Sequence, residues 1–129
     1  MPLLTLTTSK RVDPERKPAL LEELAELYAE RMDIETRFLS IQLQELPRGN
    51  LRLGRATDPE ADIVLLEADI REGRPTEQRR EFALAFMETI HEEWDVPKPN
   101  MKVVFTEHDG TQMMGYDRVG GDWSPEDGE

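Results

Sequence analysis

A repeat constrains this chain more than any other feature. At an offset of 62 residues the pattern returns: Met32, Asp33 and Ile34 match Trp94, Asp95 and Val96, and Leu39, Ile41, Leu43 and Glu45 match Met101, Val103, Phe105 and Glu107. Fourteen consecutive positions follow it without a gap. Each half reads as strand, helix, strand. In the first half, LLTLTT at residues 3–8 is an apolar, β-branched run expected to be a buried strand. Leu20, Leu24, Leu27 and Tyr28 then make a stripe at helical spacing. Residues 38–45 alternate Leu39, Ile41 and Leu43 with Ser40, Gln42 and Gln44, the mark of a half-buried strand. Asp13-Pro14-Glu15 signals a helix start, but Pro18 would fall in the second turn, so the regular helix is expected nearer Lys17. The second half repeats this with a strand at 63–70, a helix opened by Pro75-Thr76-Glu77, and an alternating strand at 101–107. Turns are expected at 47–50 and 109–111, and a short returning strand at 51–53.

A β-α-β crossover makes its two strands parallel and lays the helix on one face. Two such units predict an α+β fold: a four-stranded sheet with both helices on the same side. Residues 1–119 form a single domain, with repeats at 2–54 and 62–118, and residues 120–129 read as a loose acidic tail in which Trp123 is at most a local pin. The uncovered sheet face includes Leu and Val among its alternate residues, which predicts an apolar patch and hence oligomerisation.

Charge excludes several partners. Asp and Glu number 28 against 16 Lys and Arg, for a net charge of −12. That argues against nucleic acid, which needs a basic face, and against anionic membrane surfaces. A small carboxylate remains open as a ligand, because a few local arginines override the bulk field; 12 of the 16 basic residues are Arg. The absence of Cys removes disulfides and thiolate chemistry, and His91 and His108 stand too far apart in the chain to suggest a metal site. There is no apolar run near 18 residues and no basic-then-apolar leader, so a cytoplasmic location is expected.

Met1-Pro2 supplies a candidate for chemistry. Removal of Met1 would turn the Pro2 nitrogen into a secondary amine, and a free α-amine titrates near pH ~8, lower when buried or beside a cation. It could shuttle protons at neutral pH with no cofactor. Pro2 begins the first strand, and its counterpart in the second repeat is Val64, so there is one such amine per chain. Arg71 and Arg74 flank Glu72-Gly73 between strand and helix; they read either as a fork for a planar carboxylate or as a solvated loop pair.

Three stretches carry a family resemblance. Residues 71–79, REGRPTEQR, are similar to the strand-to-helix loop of 4-oxalocrotonate tautomerases. Residues 42–54, QLQELPRGNLRLG, and 112–118, QMMGYDR, together with Arg71 and Arg74, resemble the cis-3-chloroacrylic acid dehalogenase group. The chain thus resembles the tautomerase superfamily over nearly all its length except the tail. The resemblance implies a homotrimer with one site per chain, Pro2 as catalytic acid or base, and Arg71 and Arg74 binding the substrate carboxylate. It also marks departures. A helix His of the dehalogenases falls at Tyr28, which either donates a hydrogen bond in its place or is a core residue. A strand Tyr falls at Val104, and a water-activating Glu at Gly115. The expected activity is therefore enol–keto tautomerisation of a small 2-oxo acid, without cofactor or metal. The alternatives are a hydratase, dehalogenase or decarboxylase of the same group, or an oligomeric scaffold without catalysis. Arg118 and Arg11 are the next candidates for the carboxylate.

Overall fold

The computed structural model describes residues 1–125. Two β-α-β units are present: β1 (Leu3–Thr8), α1 (Lys17–Met32) and β2 (Ser40–Glu45), then β3 (Val64–Arg71), α2 (Thr76–Trp94) and β4 (Met101–His108). The sheet order is β2-β1-β3-β4; each unit is parallel within itself, and β1 meets β3 antiparallel. In that central pairing Thr5 lies opposite Glu67, its own counterpart at the offset of 62, so a pseudo-twofold axis passes between them.

Both helices pack on one face. Leu4, Leu6, Leu66, Ala68 and Ile70 of the sheet meet Leu20, Leu24, Tyr28, Phe82, Phe86 and Ile90 of the helices in one core. The Tyr28 and Phe82 rings meet edge to face at 5.0 Å. Side chains of this size each contribute roughly 1.5–3 kcal/mol on burial. The duplication extends to the helix ends. Asp33 and Asp95 both have φ of 56°, and their N–H groups close back onto Ala29 and His91. Asp is among the few residues that tolerate this left-handed conformation.

Several expectations are corrected. β2 begins at Ser40, because Thr36–Phe38 is a 3₁₀ turn closed by Leu39 N–H onto Thr36. Residues 51–53 leave the Arg48–Asn50 turn extended but pair with no strand. The open sheet face is not a large apolar patch: Leu3, Leu65 and Val104 are set among Thr5, Thr7, Gln42, Glu67, Asp69 and Lys102. The stretch after β4 is more ordered than expected. A turn at Gly110–Gln112 leads into a small hairpin, β5 (Met114–Gly115) and β6 (Arg118–Val119). The chain then returns to the core, where Trp123 is buried and its N–H donates to the Glu72 carbonyl at 2.8 Å. Residues 120–125 are thus a packed strap; 126–129, the rest of the expected tail, lie outside the described residues.

Gly73 explains how closely the strap approaches. Its φ is +129°, and a Cβ there would stand 2.2 Å from the Trp123 carbonyl oxygen. Only glycine satisfies both the backbone angle and the contact. No helix among the described residues is long and apolar enough to cross a membrane.

Candidate functional site

The antiparallel β1–β3 pairing decides where chemistry can gather. It sets the N-terminal end of β1 beside the C-terminal ends of β3 and β4. There a cleft of about 770 Å³ opens, lined by Pro2, Phe38, Asp69, His108, Met113 and Arg118, with Met1, Arg37 and Asp117 also on its wall. Pro2 is buried, and its carbonyl accepts from Ser40 N–H at 3.1 Å, which ties the start of β1 to β2. Two cations meet the Phe38 ring: the Arg37 and Arg118 guanidinium carbons lie 4.6 and 4.8 Å from its centre. On the open face, His108 Nε2 lies 2.8 Å from Asp69 Oδ1. No group of three or more potential metal ligands occurs among the described residues.

Of the residues singled out in the sequence, Pro2 and Arg118 reach the cleft wall. Arg71 and Arg74 do not stand on it; they are 2% and 4% exposed. Arg71 Nη1 donates to the Gly121 carbonyl at 3.0 Å. Arg74 Nε donates to the Met32 carbonyl at 2.7 Å, and its guanidinium lies 4.9 Å from the Trp123 ring centre. The solvated-loop alternative for this pair is therefore wrong. Arg74, Gln78 and Trp123 together serve the last carbonyls of α1, at Met32, Arg31 and Asp33. Those carbonyls have no partner within the helix and carry the negative end of its dipole. Arg11 is elsewhere: it is exposed beyond Thr8, at the far end of a six-residue strand, about 17 Å from the Pro2 end at the usual strand rise.

Tyr28 belongs to the core, with its hydroxyl aimed at the arginine layer. Burial pushes its pKa up to about 12, while Arg74 and Arg71 pull the other way. The hydroxyl is buried and makes no hydrogen bond among the described residues. Tyr28→Phe is accordingly expected to raise stability by about 1 kcal/mol, since it removes an unpartnered buried polar group. A thermal melt checks this, and a lowered midpoint refutes it. The folded state also keeps a proton that the unfolded chain releases above its ordinary value of 10.0. Stability from this group is present below that pH and is lost as pH rises toward about 12, a loss the Phe variant lacks.

The sequence reading missed Asp69, Arg37 and Phe38, and it set His108 aside as isolated. The available signal was the strand alternation: carried one residue past 107, to where the structure ends β4, it puts His108 on the open face at a strand end, as it puts Asp69.

Known structures resolve what this architecture is. A structure of N1, a member of the cis-3-chloroacrylic acid dehalogenase family, superposes with a TM-score of 0.80 at 21% identity, covering 93% of this chain and 84% of that one. A fused 4-OT solved as an asymmetric trimer gives 0.76 at 23% identity, with 91% and 94% covered. This chain has the tautomerase fold. An FG41 malonate semialdehyde decarboxylase inhibited by 3-bromopropiolate shares it at a TM-score of 0.75, with 16% identity over 90% of this chain and 91% of that one. No protein-family model matches the sequence, and neither does any curated protein. In the tautomerase fold as built here, the strand-end cleft holds one proline, two arginines, and a carboxylate–imidazole pair.

Proposed function

We propose that this chain is a cofactor-independent tautomerase that interconverts the enol and keto forms of a small 2-oxo acid. The observation that carries the reading is the buried position of Pro2 on the wall of a cleft that Arg118 also lines. With Met1 removed, the Pro2 amine faces the cleft, and cationic neighbours lower its pKa from ~8 toward neutrality, so that its neutral and protonated forms both take part. It takes a proton as general base and returns it as conjugate acid. Arg118 holds the substrate carboxylate, while Arg37 and the Phe38 ring narrow the cleft beside it. In this reading the charge of the buried Arg71 and Arg74 adds to the field that stabilises the developing enolate. Tyr28 supports them. Hydration or dehalogenation is the less favoured reading, because Gly115 stands where the resembling dehalogenases set the Glu that activates water.

The assembly in this reading is a homotrimer. β2 and β4 are edge strands of the sheet, and such edges invite pairing with a second chain. The fused 4-OT relative was itself solved as a trimer.

One preparation tests both parts. Protein beginning at Pro2 should ketonise phenylenolpyruvate and scatter light as three chains of 14.9 kDa. Arg118→Ala should lower kcat/KM by roughly ten- to a hundredfold, the worth of one charge-assisted hydrogen bond. Absence of turnover in the parent sinks the reading.

A further inference from the structure

We propose that His108, oriented by Asp69, is a second proton carrier of this site, serving the substrate oxygen while Pro2 serves the neighbouring carbon. The inference rests on the tautomerase reading above and adds a catalytic residue to it.

Strand register supplies the geometry. Leu3, the residue after Pro2, pairs with Asp69 on β3, whereas His108 on β4 pairs with Arg71. The 2.8 Å contact from His108 Nε2 to Asp69 Oδ1 is therefore diagonal, and it ties the imidazole of β4 to the carboxylate that sits on β3 opposite Leu3. Strands stand ~4.8 Å apart, so the Asp69 end of β3 is about one strand spacing from the Pro2 end of β1 and the His108 end of β4 about two, the imidazole reaching inward from there to Asp69. The enol oxygen and the carbon that gains the proton are two bonds apart, so carriers that each reach one of them at hydrogen-bond distance stand at most about 8 Å apart. Both residues line the cleft that Pro2 lines.

Chemistry assigns the atoms. An ionised carboxylate only accepts hydrogen bonds, so Nε2 is the donor to Asp69 and the neutral ring presents a lone pair at Nδ1. Nδ1 makes no hydrogen bond among the described residues. In ketonisation the enol O–H proton passes to Nδ1, and the freed pair becomes the carbonyl π bond. The C=C pair takes a proton from the protonated Pro2 nitrogen and forms the new C–H bond. The enzyme is left with neutral Pro2 and an imidazolium stabilised by Asp69. Solvent then removes a proton from His108 and returns one to Pro2. The charged groups sharing the cleft with this ring are Asp69 on β3, Arg37 before β2, and Asp117 and Arg118 of the small hairpin.

A purely structural tie between β3 and β4 predicts something else. A half-exposed pair of this kind adds little to stability. His108→Gln keeps an N–H for Asp69 but cannot carry a proton; His108→Ala leaves room for added imidazole. Using protein that begins at Pro2 and phenylenolpyruvate as substrate, kcat should fall by about a hundredfold in both variants. The melting temperature of His108→Gln should match the parent, and imidazole should restore turnover to His108→Ala but not to Pro2→Ala. If His108→Gln keeps the parental kcat and pH profile while Pro2→Ala is slowed about tenfold or more, His108 is no carrier and the tautomerase reading stands. If the parent turns over no enol, that reading fails and takes this one with it.

Discussion

Protein that retains Met1 is expected to show no enol–keto turnover, and the same protein beginning at Pro2 is expected to be active. With Met1 attached, the Pro2 nitrogen is part of an amide, and its lone pair is delocalised into the C–N bond. It accepts no proton at any useful pH. Met1 also occupies space: its sulfur would lie 3.2 Å from a Cβ placed on Gly115, on the wall of the cleft. A positioned general base is worth about 10²–10⁴ in rate, so the loss on retention should be at least a hundredfold. Pro2→Ala is the milder variant. It leaves a primary amine with altered geometry and should cost about tenfold or more. N-terminal mass spectrometry on each sample fixes which species was assayed. Full activity from a Met1-retaining sample removes Pro2 from the mechanism.

Arg74→Ala is expected to lower stability sharply, by about 2–3 kcal/mol, with a melting temperature lower by roughly 8 °C. The sequence leaves Arg74 readable as half of a solvated loop pair, and the loss of a solvated side chain would cost little packing. The structure reverses that expectation. Arg74 is buried, donates to the Met32 carbonyl at the end of α1, and stacks on Trp123 of the strap. Truncation strips the Met32 carbonyl of that donor and leaves a gap under the Trp123 ring. Arg118→Ala is the control, because Arg118 is exposed and its loss should change kcat/KM with little change in melting. Equal melting temperatures for Arg74→Ala and the parent would show that the strap holds without this contact.

The sequence by itself determined the elements and their pairing within each repeat. Strand and helix periodicities report which side of an element faces the core, and that information is local. The match of Asp33 to Asp95 marked equivalent positions, and the structure gives both the same left-handed conformation. Boundaries failed where a local turn competed with a strand, at Thr36–Phe38, and where an extended segment found no partner, at 51–53.

What periodicity could not report is which distant elements meet. Antiparallel closure of β1 on β3 placed Pro2 beside strand ends more than sixty residues away in the chain, and so beside Asp69 and His108. The 3₁₀ turn before β2 brought Phe38 to the same wall, and the small hairpin brought Arg118. Arg71 and Arg74 point inward for a tertiary reason. Carbonyls at the end of α1 and on the returning strap need donors, and these two arginines supply them. A repeat pattern shows where the chain bends and what it buries; only the folded chain decides which unpaired backbone groups an arginine must satisfy before it can serve a ligand.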